Sequence, residues 1–253
     1  MNRFKLKIGA MALAFTAGLF ALAPAGFAQD TTWKGFYVGA NFGYGMTNGD
    51  TSFNPLPDAP TFINLLPQTL HPNPSGAMGG GQFGANWQKG HVVIGAEFDI
   101  DGAGISGTKI LTPFLQADGV TPWNGTLTAH QETTWMATLR PRVGFTLVPR
   151  FLVYGTGGLA FGHVNDSANS DFTPDGSETY PAAVSKTKTG WTAGAGAEIS
   201  LNKRWSVKGE YLYYDLGTQS VTADPSIVNP PYQVKYVWKT TANLVKFGIN
   251  FRF

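Results

Sequence analysis

The sequence predicts an all-β protein, an eight-stranded antiparallel up-and-down transmembrane β-barrel with short turns at one end and four long loops at the other. Three observations support this fold class: runs of alternating apolar and polar residues, a strict alternation of short and long connections, and Trp residues at the ends of the runs. Charged residues make up only 13% of the 253 residues, about half of the ~25% that is usual in a soluble domain. A surface so poor in charge favours a membrane environment.

Residues 1–28 are predicted to be a cleaved signal peptide, followed by a single barrel domain over 29–253. Three basic residues precede an apolar run over 8–23, and a cleavage site with small residues, ending at Ala28, follows it, as in secretory signals. Cleavage removes 3 of the 18 basic residues and none of the 16 acidic ones, leaving 15 against 16, a net charge of −1. This balance gives no electrostatic basis for a nucleic-acid partner.

Eight runs after the signal alternate with the period of two that is typical of strands. In the last run Phe247 and Ile249 share one face, whereas Lys246 and Gly248 share the other. Each run is at least as long as the ~9–11 residues that a strand needs to cross a bilayer. The runs lie near 33–46, 77–88, 92–105, 132–147, 151–164, 188–201, 205–217 and 241–253.

The connections between these runs are alternately short and long. The short ones are the three-residue links 89–91, 148–150 and 202–204, which have the length of tight hairpins. The long ones are 47–76, 106–131, 165–187 and 218–240, and they hold 13 of the 16 prolines. Soluble domains rarely contain loops longer than ~12–15 residues, so a soluble β-sandwich explains this pattern less well than a barrel across a membrane.

Five Trp residues lie at the ends of the runs, where the two membrane–water interfaces are expected. Three of them, Trp33, Trp87 and Trp205, fall at the short-turn ends, and two, Trp135 and Trp191, fall at the long-loop ends. We therefore expect two girdles of interfacial aromatic side chains.

Ten charged residues are expected to point into the barrel when the apolar face of each run contacts lipid. The acids are Glu97, Asp99, Asp101, Glu198 and Glu210, and the bases are Arg140, Arg142, Lys208, Lys246 and Arg252. Opposite charges within reach of one another can pair, and eight strands leave an interior that side chains nearly fill. The favoured interpretation is a lumen closed by paired charges, and the alternative is a narrow ion pathway lined by the same residues.

No catalytic, cofactor or metal site is predicted. The carboxylates Asp99 and Asp101 match the geometry of acid–base catalysis only loosely, and Gly79–Gly84 fits G-x-G-x-x-G without the helix that a dinucleotide site requires. The four histidines, His71, His91, His130 and His163, lack a local ligand spacing, so binding of metal or haem remains open. His163 and Ser167 could act as base and nucleophile in a lipid-modifying enzyme, but nothing in the sequence fixes their geometry or orients the imidazole.

The long segments also hold eight acids, four bases and scattered aromatics that include Phe53, Phe62, Phe114, Trp123, Phe172, Tyr180, Tyr232 and Trp238. Recognition usually depends on loops, so these segments are the candidate surface for a host or other partner. Lys109 is placed in one of them as an exposed residue.

Several stretches carry a family resemblance: Trp33–Gly39 with Gly43-Tyr44, Arg140-x-Arg142 before Gly144-Phe145, Tyr154–Ala160, Gly190–Gly196, Lys208-x-Glu210-Tyr211, and Lys246–Phe253. Together they resemble RopB-type surface proteins, which are porin-family outer-membrane barrels in the OmpA-like eight-strand group. The resemblance spans the chain after the signal except the four long segments.

The resemblance implies an outer-membrane location in a Gram-negative bacterium, with periplasmic turns, surface loops, and contact with outer-membrane lipid and lipopolysaccharide. It implies assembly by the barrel-assembly machinery, for which the terminal aromatic Phe253 resembles the recognition signal. The implied role is envelope integrity and surface exposure, often as an immunogenic antigen, with no catalytic residues. A small porin that passes ions or small solutes is the alternative function, and the oligomeric state is left open.

Overall fold

The structure, a computed structural model, describes residues 32–56, 68–116, 119–172, 178–226 and 233–253. The predicted signal peptide, 1–28, lies outside the described residues, as do Phe62 and Tyr232. No helix in the described ranges is long and apolar enough to cross a membrane.

Eight long strands and three short ones make up the described part of the chain. They are β1 Gly35–Leu56, β2 Gln68–Leu70, β3 Ser75–Lys89, β4 Val92–Leu111, β5 Phe114–Leu115, β6 Pro122–Trp123, β7 Thr126–Val148, β8 Phe151–Asp171, β9 Thr179–Ser200, β10 Trp205–Ala223 and β11 Gln233–Arg252. The eight long strands pair antiparallel in the order β11-β10-β9-β8-β7-β4-β3-β1, and β11 also pairs with β1. This last pairing, from Tyr37↔Arg252 to Leu56↔Gln233, closes the sheet into a barrel.

The closed sheet has two chemically different faces in its lower part, near the short turns. The outward side chains there are large, apolar and exposed, for example Phe42 (66%), Ile94 (54%) and Val143 (58%). Trp87 and Trp205 lie near one edge of this lipid-facing band and Trp191 near the other. A barrel satisfies every backbone group within this band, which is the condition for crossing hydrocarbon.

The predicted extents of the loops are wrong, because strands continue into all four long segments. β1 reaches Leu56, β4 reaches Leu111, β8 reaches Asp171 and β10 reaches Ala223. Lys109 therefore lies on β4, opposite Ala129, rather than in a loop. The strands extend beyond the lipid-facing band and form an upper part of the barrel wall, which we call the upper storey.

The physical reason is that alternation continues above the band with its phase reversed. On β7, for instance, Leu127 and Ala129 are buried inside, whereas Thr128 and His130 are half-buried on the outside. Outside the bilayer the outer face meets water, so polar residues replace the lipid-facing ones. A search for apolar residues on one constant face stops where this reversal begins.

The predicted three-residue turns differ slightly in length. β3 ends at Lys89 and β4 begins at Val92, with Gly90 at a positive φ of 59° between them. β7 and β8 are joined by two residues, and β9 and β10 by four, 201–204. Each still links neighbouring antiparallel strands at the same end of the barrel.

The interior contains three apolar clusters at different heights. A small cluster at the short-turn end consists of Trp33, Val93, Leu152 and Tyr154. The middle cluster consists of Met78, Ile105, Met136, Ala160, Val164, Leu212, Tyr214, Leu216, Ala242 and Leu244. The upper cluster consists of Phe53, Leu70, Leu127, Ala129, Ala168, Phe172, Tyr180, Ala223, Val234, Tyr236 and Trp238.

Candidate functional site: the buried charge network

The ten predicted inward charges all lie inside the barrel, and none is more than 4% exposed. They occupy a layer between the small lower cluster and the middle cluster. Nine of them form one connected set of ion pairs that joins β4, β7, β9, β10 and β11, and Arg252 stands beside it.

Arg140 on β7 is the centre of the network. Its Nη2 lies 2.8 Å from Glu97 Oε1 and 2.7 Å from Asp99 Oδ2, both on the neighbouring strand β4. Its Nη1 lies 3.1 Å from Glu210 Oε2 on β10, an ion pair without hydrogen-bond alignment. Register explains the first contact, since Glu97 and Arg140 are direct cross-strand partners and such side chains face the same side.

Glu97 connects the network across the lumen. Its Oε1 accepts a 2.7 Å hydrogen bond from Lys208 Nζ on β10, and Arg142 Nη1 lies 3.7 Å from its Oε2. Arg142 also reaches Glu198 Oε2 on β9 at 3.3 Å. These contacts tie opposite walls together, because β4 and β10 are not neighbours in the sheet.

Lys246 on β11 holds the other two β4 carboxylates. Its Nζ donates to Asp99 Oδ1 at 3.0 Å and to Asp101 Oδ2 at 2.6 Å. Two acids that share a face two residues apart are thereby kept near one ammonium group. An isolated pair of buried carboxylates would repel, so the lysine is what makes this spacing tolerable.

Neutral side chains complete the layer. Tyr37 donates to Glu97 Oε2 at 2.7 Å, Thr138 to Asp99 Oδ2 at 2.5 Å, and Asn250 to Glu198 Oε1 at 2.9 Å. The Arg142 guanidinium lies 4.8 Å from the ring centroid of Tyr37 and 5.1 Å from that of Tyr154. Sequence reasoning missed these residues because one polar residue on an inward face has no pattern of its own.

Trp33 differs from the expectation of an interfacial side chain, because it is fully buried. Its Nε1 donates to Pro149 O at 3.1 Å, and the Arg252 guanidinium lies 4.6 Å above its ring. Arg252 also donates to Thr32 O. Trp33 precedes β1, so the chain can fold it into the short-turn end of the barrel instead of continuing the strand alternation.

The other four Trp residues that were predicted to be interfacial lie on or near the outer surface. Trp87, Trp191 and Trp205 are 60%, 50% and 41% exposed, and Trp135 is half-buried against the ring of His163. Phe253 is 77% exposed at the end of the chain.

The two apolar clusters above the charges were not anticipated. Phe53, Tyr180 and Trp238, which were expected in recognition loops, are fully buried in the upper cluster. Tyr236 is packed edge-on to Phe53, with ring centroids 5.2 Å apart. The signal that could have revealed them is the reversed alternation, for example Val234, Tyr236 and Trp238 at steps of two.

The histidines are not brought together by the fold. His71 lies 2.6 Å from Asp50, His130 lies 2.8 Å from Thr108 Oγ1, and His163 contacts Ser185 and Thr187. Ser167 is the cross-strand partner of His130. Within the described ranges no group of three or more His, Cys, Asp or Glu side chains could hold a metal ion.

A thin polar layer separates the middle and upper clusters. Asp166 on β8 is 3% exposed and lies well above the lipid-facing band. Burial raises the pKa of its carboxyl from the usual 3.8 to about 6, and the nearby Lys188 ammonium opposes the shift. Lys188 Nζ donates to Gly217 O at 3.1 Å and to Thr240 Oγ1 at 3.2 Å.

The closed strand ring, the apolar outer band and the layer of paired charges inside this band define a transmembrane β-barrel of the outer-membrane class. A family model described as "Outer membrane protein beta-barrel domain" matches residues 11–253. The chain belongs to this family of outer-membrane β-barrel proteins.

Relatives and solved structures agree with this placement. The chain is 34% identical over 234 residues to the "31 kDa outer-membrane immunogenic protein" of Brucella melitensis, covering 91% of this chain and 88% of the relative. It is 32% identical to the "22 kDa outer membrane protein" of Rhizobium leguminosarum, covering 88% and 79%. The crystal structure of OprG from Pseudomonas aeruginosa has a TM-score of 0.50 at 13% identity, covering 88% of this chain and 99% of that one, which shows the fold alone.

These findings confirm the predicted fold class, the family resemblance and the outer-membrane location. The protein is an outer-membrane β-barrel protein homologous to outer-membrane immunogenic proteins.

Proposed function

We propose that the protein is a closed, non-conducting barrel that contributes to envelope integrity and presents its upper storey at the cell surface. The observation that carries this proposal is the nine-member ion-pair network, which reaches across the lumen from β4 to β10 through the contact of Lys208 with Glu97. Solute cannot pass this layer without separating charges that are buried and mutually paired.

The apolar clusters add to the block. Leu212, Leu244 and Met136 fill the interior above the charges, and each is at most 2% exposed. An apolar constriction excludes water and ions even where it leaves a narrow gap. Neither layer resembles the aqueous channel of a large porin.

A structural and surface role fits the family, whose members named here are outer-membrane and immunogenic proteins. In this proposal the protein is not an enzyme, because its charged side chains bind one another instead of being directed toward a substrate. The lipid-facing band contacts outer-membrane lipid, and the barrel rim meets lipopolysaccharide. The same proposal includes export after cleavage of residues 1–28, assembly through Phe253, and a host partner that binds above the rim of the barrel.

The test is single-channel conductance of the refolded chain after signal removal in a planar bilayer. Folding is first established by the heat-dependent shift on a gel that folded barrels show. We expect no discrete current steps at high protein load. Reproducible steps would overturn the proposal in favour of a small porin with the network as its selectivity filter.

A further inference from the structure

The barrel wall has an opening between β9 and β10 above the lipid-facing band. The two strands are paired only as far as Asp215↔Trp191, although β9 extends up to Thr179 and β10 up to Ala223. No register joins these extensions within the described residues. At the top, Ser226 N donates to Thr179 O at 2.8 Å and brings the strands together again. We call this opening the β9–β10 slot.

A bulge in β10 creates the slot. The register of β10 with β11 shifts between Asp215 and Thr218, and Gly217 within the bulge has a positive φ of 73°. Asp215 Oδ1 accepts a 2.8 Å hydrogen bond from Gly217 N, which stabilises the turn of the backbone. A bulge bends its strand and ends the local pairing, so β10 continues away from β9.

Lys186 shows that the slot connects the inner face with solvent. It lies directly opposite Val164, so the two side chains face the same side of the sheet. Val164 is 1% exposed in the middle cluster, yet Lys186 is exposed. A residue at an inward position can be exposed only where the neighbouring wall is open.

Buried polar groups without partners lie behind the slot. Gln219 on β10 is directly opposite Trp238 on β11, and they are 8% and 0% exposed. Within the described part of the chain, neither amide atom of Gln219 nor the indole Nε1 of Trp238 has a hydrogen-bond partner. The same holds for Asp166 Oδ2, on the strand beyond β9.

More than about 90% of buried polar groups in proteins have a partner in the protein or in an ordered water, so these unpaired atoms are available to hydrogen-bond a bound molecule. Here two donor groups and two acceptor atoms remain unused on the strands around the slot. A ligand that uses all of them must therefore offer both hydrogen-bond donors and acceptors. Lys188 and Asp166 contribute one charge of each sign from β9 and β8, which favours a neutral ligand over an ion.

The lips of the slot are apolar. Val184 on β9 and Val221 on β10 are half-buried and pack against the upper cluster, which includes Tyr236 and Trp238. Their side chains offer an apolar surface beside the unused polar atoms.

We propose that the β9–β10 slot opens into a binding site for a small neutral molecule that carries an amide or hydroxyl group next to a short apolar group. The amide of Gln219 and the indole N–H of Trp238 hold the polar group. Val184 and Val221 contact the apolar group, and Lys188 closes the bottom of the site through its bonds to Gly217 and Thr240.

Acrylamide is a suitable probe, because it joins a neutral amide to a vinyl group and quenches Trp fluorescence on contact. The emission of Trp238 is obtained in the folded barrel as the difference between the unmodified protein and Trp238→Phe. Trp33→Phe supplies the matched control, since Trp33 is equally buried but its Nε1 is bonded to Pro149 O. We expect saturable quenching of the Trp238 component and a protected Trp33 component.

Gln219→Leu tests the site independently of Trp238. It should weaken acrylamide binding about tenfold, the effect of one hydrogen-bonding group, and raise the unfolding midpoint because unsatisfied buried atoms are removed. Gln131→Leu is the control, since Gln131 is similarly buried but donates to Thr51 Oγ1 at 3.3 Å. It should leave quenching unchanged and lower the midpoint.

Two results would overturn the proposal. One is a Trp238 component that is as protected as that of Trp33, or quenched only in linear proportion to acrylamide. The other is identical quenching in the unmodified protein and Gln219→Leu. Neither result bears on conductance, so the closed-barrel proposal stands or fails separately.

Discussion

Single residues inside the barrel differ in whether their charges and hydrogen-bonding atoms are paired. Arg140 makes contacts with three carboxylates, whereas Gln219 has no partner for either amide atom within the described residues. Both are buried, so exposure alone does not predict the effect of replacing them. Removing a paired charge leaves its partners buried without a counter-charge. Removing an unpaired amide instead removes the desolvation penalty of its unsatisfied atoms.

Arg140→Ala should lower the free energy of unfolding by about 3–5 kcal/mol, because Glu97, Asp99 and Glu210 each lose a buried cationic partner. Within the described residues, Glu210 then keeps only Lys208 Nζ, at 4.0 Å. Lys109→Ala, at an exposed position near the upper end of β4, is the control and should change it by less than about 0.5 kcal/mol. Urea unfolding in lipid vesicles measures both. Equal midpoints for the two variants would contradict the role given to the network.

Asp166 should make stability depend on pH in an unusual direction. Its pKa is raised to about 6 in the folded barrel, so the folded state holds the proton more tightly than the unfolded chain. Stability from this group is therefore full below pH ~4 and is lost as pH rises through ~6. The shift corresponds to about 2–3 kcal/mol.

Asp166→Asn should remove this dependence. The unfolding midpoints of the unmodified protein and the variant are compared at pH 4.5 and pH 7. We expect the advantage of the variant to be larger at pH 7. A pH-independent difference would show that burial does not perturb Asp166.

At the scale of the element, each long strand combines two environments along its length. Below the base of the slot, outward positions on β8 and β9 face lipid, and beside the slot they face water. Gly155 on the outer face of β8 has open space where a Cβ would be, whereas a Cβ on Gly190 of β9 would overlap the carbonyl oxygen of Asp215. Close approach of β9 and β10 at the base of the slot therefore depends on Gly190.

Gly190→Val should destabilise the barrel by about 1–3 kcal/mol through overpacking and loosen the last β9–β10 pairs. Gly155→Val on the neighbouring strand should be neutral or slightly stabilising, because a β-branched residue suits an exposed strand position. Thermal unfolding of the two variants measures the difference. Similar losses at both positions would mean that strand glycines act only through backbone freedom.

At the scale of the whole molecule, the interior contains two different layers, and we expect each of them to block the lumen on its own. The charged layer crosses the barrel by ion pairs, and the middle cluster fills it with apolar side chains. Opening one layer leaves the other in place. This redundancy suits a barrel whose task is to seal and support the envelope.

Conductance of layer variants tests this independence. Arg140→Ala with Glu97→Ala should remain silent, and so should Met136→Ala with Leu244→Ala. We expect current steps only when all four substitutions are combined in a chain that still shows the folded gel band. Steps from either pair alone would show that a single layer seals the barrel.

The sequence by itself determined the strand ring and the inward set of charges. Alternation at 92–105 and 241–253 marks a lipid-facing side and a polar side, because hydrocarbon tolerates only apolar side chains and paired backbone. The inward position of Glu97, Lys246 and the other charges follows only from which of the two alternating faces of its strand each residue occupies. This alternation is a local property, and a strand with one apolar face has only one acceptable orientation.

The tertiary structure alone decided which charges pair, where Trp33 lies and how far the strands extend. The contact between Lys208 and Glu97 joins residues 111 positions apart on strands that are not neighbours, and no spacing in the chain encodes it. The reversed alternation of the upper storey became interpretable only once the end of the lipid-facing band was known. The slot likewise depends on the bulge at Gly217, where β10 separates from β9. Which residues of two strands pair depends on how the strands are aligned with each other, and the sequence of one strand does not determine that alignment.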